Sequence, residues 1–142
     1  MSDVIFVYGT LKEGFANFHV NAGVRLPGEF ETTERYPLYV MGEYLIPWLV
    51  DRAGEGECVA GQLFAVDVAA LKLMDELERL NEPGWYTRRH ILVRERGAGP
   101  CTPRKALVYF GAPERLRTET IHVGPISEFT PTHDQRYRQR AA

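Results

Sequence analysis

The sequence predicts an α+β fold in a single domain, because short strand-like runs are spread along the chain and one segment has a clear helical pattern. The chain has 142 residues, which suits one domain, and we expect the whole range 1–142 to share one hydrophobic core. The strand-like runs are rich in β-branched and aromatic residues and end near Gly, Pro or Asp. These runs are 4–8, 36–41, 44–50, 59–66, 86–94 and 105–110.

Two of these runs form a predicted hairpin. Segments 36–41 and 44–50 are separated only by Gly42 and Glu43, which predicts a two-residue turn. Pro37 and Pro47 lack a backbone N–H, so we expect both segments at a sheet edge or a bend.

The remaining connections are less patterned. Residues 21–35 are expected to be loop with one short strand, residues 51–57 a polar turn and residues 97–103 a loop. The tail from about residue 112 is weakly patterned. Its alternating Arg136, Arg138 and Arg140 predict a solvated terminus.

The charge balance narrows the class of partner. Lys and Arg number 17 and Asp and Glu number 19, so the formal net charge is −2. This balance gives no basic footprint for nucleic acid or an anionic membrane. The N-terminal apolar run is too short for a signal peptide, and no later segment has the length of a membrane span. We therefore expect a cytoplasmic protein that binds a small molecule, with no nucleic acid and no membrane as partner.

Several classes of catalytic site are disfavoured by the residues present. Cys58 and Cys101 are far apart, which favours free thiols in a reduced cytosol, although one disulfide stays open. The four histidines show no metal-ligand spacing, so we expect no metal. No serine or cysteine lies in a glycine-flanked elbow, which argues against a Ser or Cys nucleophile.

A glycine-containing turn follows the first strand and is the first candidate site. In a turn such as Gly9 to Gly14, successive backbone N–H groups can point outward together and bind an anion or a carbonyl oxygen. A phosphate-binding loop would need Lys and then Ser or Thr after the second glycine, but Phe15 and Ala16 follow. Taken alone, such a turn is more often plain architecture.

The second candidate is Glu78, in the one clear helix, predicted over 67–81. Asp67 is its expected N-cap. At 100° per residue, Glu78 falls within the apolar side of this helix, where a carboxyl loses hydration and its pKa rises toward the range of a general base. The alternative is a boundary glutamate that reaches solvent or pairs with Arg88 or Arg89, and the pattern alone favours neither. The apolar side comprises Ala70, Leu71, Leu73, Met74, Leu77 and Leu80.

The segment Val7-Tyr8-Gly9-Thr10-Leu11-Lys12, followed by Gly14 and Asn17, resembles the opening signature of the γ-glutamyl cyclotransferase family, specifically its γ-glutamylamine cyclotransferase branch. The resemblance spans about residues 4–110. It implies a small mixed, nearly closed β-barrel with flanking helices. Further agreement lies at 36–38, 46–49, 61–67, 73–78, 86–88 and 108–109.

The resemblance also implies roles for the two candidates. The turn of Tyr8, Gly9, Thr10 and Leu11 would bind the γ-glutamyl group, and Glu78 would be the acid/base. In the implied reaction the α-amine of the substrate attacks its own γ-carbonyl, which gives 5-oxoproline and a free amine without a cofactor. The helical pattern isolates Glu78 independently of the family, so both arguments indicate the same carboxylate.

Alternatives remain open for the function. An enzyme that removes a γ-glutamyl group in a biosynthetic pathway, or that acts on γ-glutamyl amino acids or glutathione, would use the same chemistry. A non-catalytic binding protein could keep the same barrel and pocket. Phe15 and Ala16 stand at positions where relatives tend to have more polar residues, so the identity of the leaving amine stays open. Trp48 and Tyr86 are further candidates to line the pocket, although large aromatic residues near Pro and Gly are at least as often core residues.

Overall fold

The computed structural model describes residues 3–97, 99 and 102–141, and it confirms the α+β fold. Its strands are β1 (Asp3–Val7), β2 (Val24–Arg25), β3 (Phe30–Thr32), β4 (Leu38–Met41), β5 (Ile46–Leu49), β6 (Ala60–Val66), β7 (Tyr86–Glu95), β8 (Arg104–Gly111) and β9 (Ile121–Ile126). Its helices are α1 (Val68–Leu77), α2 (Arg115–Thr118) and α3 (Pro131–Ala141), and a short 3₁₀ helix spans Phe18–Val20.

Five strands close into a barrel. The ring runs β1, β8, β7, β3, β6 and back to β1. The β1–β8 pair is parallel and the other pairs of the ring are antiparallel, which makes the barrel mixed. Ile5 of β1 marks the closure, because it is opposite Leu107 on one side and Phe64 on the other. The expected nearly closed barrel is therefore confirmed, and its ring is complete.

The predicted hairpin is present, but its turn is longer than expected. Strands β4 and β5 pair with Leu38 opposite Leu49 and Met41 opposite Ile46, so residues 42–45 form a four-residue connection. The prediction of a two-residue turn was wrong. Gly42 and Leu45, at the two ends of the connection, both adopt positive φ and reverse the chain over four residues. Pro47 lies in β5, at the edge of the β5–β4–β9 sheet, as its missing N–H predicts.

Alternate residues of the barrel strands face two hydrophobic clusters, as the period of two along a strand requires. Phe6 and Val108 belong to the cluster that fills the barrel. Ile5 and Leu107 face the other cluster, where α1 packs through Met74. This packing places the C-terminal end of α1 beside the C-terminal end of β1.

The tail is more ordered than its weak pattern indicates, although most of its residues are exposed. Residues 121–126 form β9, which pairs with β4, and α3 follows. Phe129 is completely buried and Asp134 is only 4% exposed, so the segment before and within α3 packs on the body of the protein. The arginines at 136, 138 and 140 are exposed, as expected.

Two further observations concern the cysteines and membrane spans. Cys58 carries a free thiol, and Cys101 lies outside the described residues. None of the helices in the described residues combines the length and the apolar composition needed to cross a bilayer.

Candidate active site

The turn after β1 presents unused backbone donors. The N–H of Lys12 donates to the Gly9 carbonyl at 3.1 Å, and the N–H of Asn17 donates to the Thr10 carbonyl at 2.8 Å. These bonds fix the turn through its carbonyl oxygens. Within the described residues, the N–H groups of Gly9, Thr10 and Leu11 donate to no protein acceptor. The turn can therefore hold a ligand oxygen without giving up a bond of its own.

Glu78 is positioned by the way α1 ends. The Asp67 side chain caps the start of α1 by accepting from the Ala70 N–H at 2.7 Å, as predicted. At the other end the helix stops at Leu77, four residues before the predicted end, because Arg79 adopts a left-handed conformation with φ of 52°. Glu78 is thereby the C-cap residue.

The termination of α1 has the hydrogen bonds of a Schellman motif. The N–H of Leu80 donates to the Asp75 carbonyl at 3.0 Å, and the N–H of Arg79 donates to the Glu76 carbonyl at 3.2 Å. Glycine is the usual residue at the left-handed position, and Arg79 there stacks its guanidinium over the Trp85 ring at 4.6 Å. The motif fixes the backbone on both sides of Glu78.

The predicted apolar side of α1 is narrower than expected. Ala70 and Met74 are buried, but Leu73 is 48% exposed and Leu77 is also exposed. Glu78 is partly buried on the same side as Met74. The helical pattern therefore placed Glu78 correctly, although it extended the buried surface too far.

One pocket, about 90 Å³ in volume, brings both sequence candidates together. The turn contributes Tyr8, Gly9, Thr10 and Leu11, and α1 contributes Leu77 and Glu78. The remaining walls are mostly aromatic and apolar side chains, and no Lys, Arg or His occurs among the described residues that line the pocket. These walls are Phe6, Val7, Asn17, Ile46, Pro47, Trp85, Tyr86, Tyr109 and Tyr137.

The Glu78 carboxyl has lost hydration without gaining a partner. Burial raises its pKa from an ordinary 4.5 to about 8. Across the described part of the chain, no hydrogen bond or ion pair reaches this side chain. The alternative in which Glu78 pairs with Arg88 or Arg89 is wrong, since both arginines bind other carboxylates.

Each of these two arginines forms a salt bridge with an aspartate. Arg88 binds Asp75 at 3.1 Å, and Arg89 binds Asp51 at 2.7 Å. Asp75 also accepts a hydrogen bond from the Tyr109 hydroxyl at 2.7 Å. Asp75 therefore takes up the nearby Arg88 charge, which leaves the Glu78 carboxyl free for a ligand.

The tyrosines around Glu78 are neutral and largely fixed. Burial, followed by the nearby Glu78 charge, raises the pKa of Tyr8 well above its ordinary value, and burial likewise raises the pKa of Tyr86 and Tyr109. The Tyr8 hydroxyl donates to the Tyr109 carbonyl at 2.8 Å, and the Tyr86 hydroxyl donates to the Pro47 carbonyl at 2.6 Å. Their rings therefore form a rigid wall.

Sequence reasoning found part of this lining. Tyr86 lines the pocket as expected, whereas Trp48 does not; it is buried behind Tyr86, with ring centroids 4.5 Å apart. Asn17 had a signal in the signature but no predicted role. Tyr109 and Tyr137 had no predicted role either, and nothing local in the sequence pairs Tyr137 with a turn more than one hundred residues earlier.

A family model described as "Gamma-glutamyl cyclotransferase, AIG2-like" matches residues 5–127. The chain belongs to this family. The match includes the turn, α1 and all the barrel strands except the first residues of β1, and it ends before α3.

Individual relatives agree with the family assignment. A protein of Rattus norvegicus named gamma-glutamylaminecyclotransferase is 38% identical over 114 residues, which cover 74% of this chain and 75% of the relative. The Homo sapiens protein of the same name is 38% identical over 110 residues, covering 70% and 69%. A crystal structure of an AIG2-like protein from Mus musculus superposes with a TM-score of 0.70 at 36% identity, covering 81% of this chain and 82% of that one. The protein is accordingly an enzyme of the γ-glutamyl cyclotransferase type.

Proposed function

We propose that this enzyme cleaves γ-glutamyl amines by cyclisation, with Glu78 as acid/base and the turn of Tyr8, Gly9, Thr10 and Leu11 as the substrate-binding element. The observation that carries the proposal is that an unpaired carboxyl with a raised pKa shares one small pocket with a turn of free N–H donors. A substrate with both an ammonium and a carboxylate group matches these two features.

The reaction requires protons to move between two nitrogens of the substrate. The α-ammonium must lose a proton before its nitrogen attacks the γ-carbonyl, and the amine leaves only after its nitrogen gains one. A carboxyl with a pKa of about 8 is a far stronger base than an ordinary glutamate. Its pKa also lies near that of an α-amine, so Glu78 can accept the first proton and later deliver one to the leaving amine.

The bonds balance without a further reactant. The α-nitrogen forms a bond to the γ-carbon, and the bond from that carbon to the amine nitrogen breaks, giving 5-oxoproline and the free amine. Protons lost by the α-nitrogen are recovered by the departing amine through Glu78. No cofactor is required for these steps.

The free N–H groups of Gly9, Thr10 and Leu11 hold a substrate oxygen in this proposal, either the α-carboxylate or the oxyanion that develops on the γ-carbonyl. The small pocket also holds the glutamyl chain folded, which brings the α-nitrogen close to the γ-carbon. Because α3 adds Tyr137 to the pocket, we treat residues 1–142 as one domain.

An amine is proposed as the leaving group because the rat and human relatives carry the name gamma-glutamylaminecyclotransferase. Purified protein would be incubated with γ-glutamyl amines, γ-glutamyl amino acids and glutathione, and the 5-oxoproline formed would be measured. We expect the highest kcat/KM with the amines. The proposed leaving group is contradicted by a preference for glutathione or γ-glutamyl amino acids, and the reaction by 5-oxoproline from none.

The role of Glu78 is tested in the same assay. Glu78→Gln keeps the size of the side chain but removes the base, so we expect kcat/KM to fall on the order of 100-fold or more. Glu76→Gln is the matched control, because Glu76 is an exposed residue on the same helix. A folded Glu78→Gln variant with near-normal turnover would show that another group moves the proton.

A further inference from the structure

Helix α3 closes one side of the pocket, although it lies beyond the matched family region. From α3, Tyr137 lines the pocket, where it lies with Thr10 and Asn17 from the N-terminal part of the chain. The family match ends at residue 127, before α3 begins. The wall that Tyr137 provides is therefore built by a part of the chain outside the matched region.

The start of this segment is anchored to the residue that follows the turn. Phe129 is completely buried, and its carbonyl accepts a hydrogen bond from Lys12 Nζ at 2.7 Å. Lys12 is itself buried and its ammonium lies 4.1 Å from the centre of the Phe15 ring. Lys12 therefore ties the turn directly to the chain that enters α3.

The middle of α3 is anchored by Asp134. Its Oδ1 accepts from the Ala16 N–H at 3.0 Å, and its Oδ2 accepts from Arg138 Nε at 2.8 Å. Asp134 and Tyr137 are three residues apart, so their side chains project from the same side of the helix. The bond to Ala16 therefore also holds Tyr137 against the pocket.

A hydrogen-bond chain joins Tyr137 to the turn. Asn17 Nδ2 donates to Thr10 Oγ1 at 2.8 Å and to the Tyr137 hydroxyl oxygen at 3.2 Å. Because the Tyr137 oxygen is the acceptor in this bond, its own hydrogen is not used there. No acceptor for that hydrogen occurs among residues 3–97, 99 and 102–141. Tyr137 thus offers a free, oriented O–H donor at the pocket wall.

We propose that Tyr137 is a substrate-binding residue whose hydroxyl donates a hydrogen bond to the α-carboxylate of the γ-glutamyl group. This inference rests on the proposed function. The described residues that line the pocket include no Lys, Arg or His, so a bound carboxylate depends on neutral donors. Glu78 is the acidic residue among these lining residues and suits the α-ammonium. The α-carboxylate is then left to the free donors of Thr10 and Tyr137, because both hydrogens of Asn17 Nδ2 are already used.

Tyr137→Phe tests this role, because it removes the hydroxyl but keeps the ring and its packing. Initial rates would be measured with two γ-glutamyl amides, one of a neutral alkylamine and one of a diamine that keeps a free ammonium. Since the glutamyl half is common to both amides, we expect KM to rise about tenfold for each, with a smaller change in kcat. A rise of this size corresponds to the loss of one hydrogen bond to a charged group. Tyr44→Phe, at a 51% exposed tyrosine outside this pocket, is the control and should leave both parameters unchanged.

Two comparisons separate substrate binding from a merely structural role. Asn17→Ala removes the group that orients the Tyr137 hydroxyl, so the double variant with Tyr137→Phe should lose less than the sum of the two single losses. An unchanged KM in folded Tyr137→Phe overturns the inference, and so does a KM effect confined to one of the two amides, because Tyr137 would then contact the leaving amine.

Failure of this inference can be told apart from failure of the proposed function. If the wild-type protein forms no 5-oxoproline from any amide, the proposed reaction itself is wrong. If the wild type is active, the affinity of added 5-oxoproline, which keeps the carboxylate, is measured by calorimetry. We expect Tyr137→Phe to weaken this binding about tenfold. Equal affinity of the two proteins overturns the role of Tyr137 alone.

Discussion

Gly9 lies so close to the ring of Pro47 that a Cβ atom at position 9 would come within 2.6 Å of Pro47 Cγ. Pro47 belongs to the edge strand β5, and its ring is rigid, so it cannot swing aside as a flexible side chain would. The absence of a side chain at Gly9 therefore allows the candidate substrate-binding turn to lie directly on β5. Both residues line the pocket.

Gly9→Ala is expected to destabilise the protein and to impair the turn. The added methyl group must displace either β5 or the turn, and overpacking of this kind typically costs about 1–3 kcal/mol. Because the displaced turn carries the free N–H donors, we expect kcat/KM for γ-glutamyl amines to fall at least about tenfold. Urea unfolding and 5-oxoproline formation measure the two effects.

Pro47→Ala provides the control for this clash. It removes Pro47 Cγ and leaves Cβ, which would lie 3.2 Å from the new methyl group at position 9. The double variant should therefore recover part of the stability that Gly9→Ala loses, relative to Pro47→Ala alone. If the double variant loses as much stability as the two single variants added together, the Pro47 ring is not what excludes a side chain at Gly9.

The raised pKa of Glu78 predicts how stability depends on pH. The folded protein holds this proton up to a pKa of about 8, whereas the unfolded chain releases it near 4.5. Between these values the folded state binds more protons, so the contribution of Glu78 lowers the free energy of unfolding as pH rises from about 4.5 to 8, and it levels off above 8. Acidification therefore relieves the cost of burying this carboxylate.

Glu78→Gln should remove this contribution. We expect the variant to be more stable than the wild type by on the order of 1–3 kcal/mol at pH 9, allowing for partial solvent access, and by little at pH 4.5. Thermal unfolding at pH 4.5, 7 and 9 measures the difference, with Glu76→Gln as the exposed control on the same helix. A Glu78→Gln gain that does not grow with pH would contradict an unpaired, desolvated carboxyl at this position.

Local patterns located the two halves of the candidate site, and the family resemblance supplied their expected roles. Strand β1 is a short apolar run that stops at a glycine turn, and the structure places it within one residue of the predicted bounds. Glu78 is recognisable because the angular position of a helical residue depends only on its neighbours in sequence. The end of α1 was less accurate, since Arg79 takes the left-handed position at which a sequence reader expects glycine.

The secondary structure of the tail was not predicted, because its contacts are distant in sequence and its pattern is weak. Five of the six residues of β9 are exposed, so the strand shows no alternation of buried and exposed residues. Helix α3 is mostly polar and is held by single contacts, such as Asp134 to Ala16, instead of an apolar stripe. A residue like Tyr137 can be assigned to the pocket only once the fold brings it there.

Asp134→Ala is expected to release α3 from the turn that precedes the 3₁₀ helix. The change removes the acceptor of the Ala16 N–H and the ion pair with Arg138, and loss of a buried hydrogen-bonded carboxylate of this kind costs about 1–3 kcal/mol. Amide hydrogen exchange gives the direct readout: peptides covering Ala16 and residues 130–141 should exchange faster than in the wild type. Arg140→Ala, an exposed change on the same helix, should leave the exchange of both peptides unchanged.

Because Tyr137 lies one turn beyond Asp134, the loosened helix should also raise KM for γ-glutamyl amines. If Ala16 in the Asp134→Ala variant exchanges as slowly as in the wild type, then Phe129 and Lys12 hold the segment without Asp134.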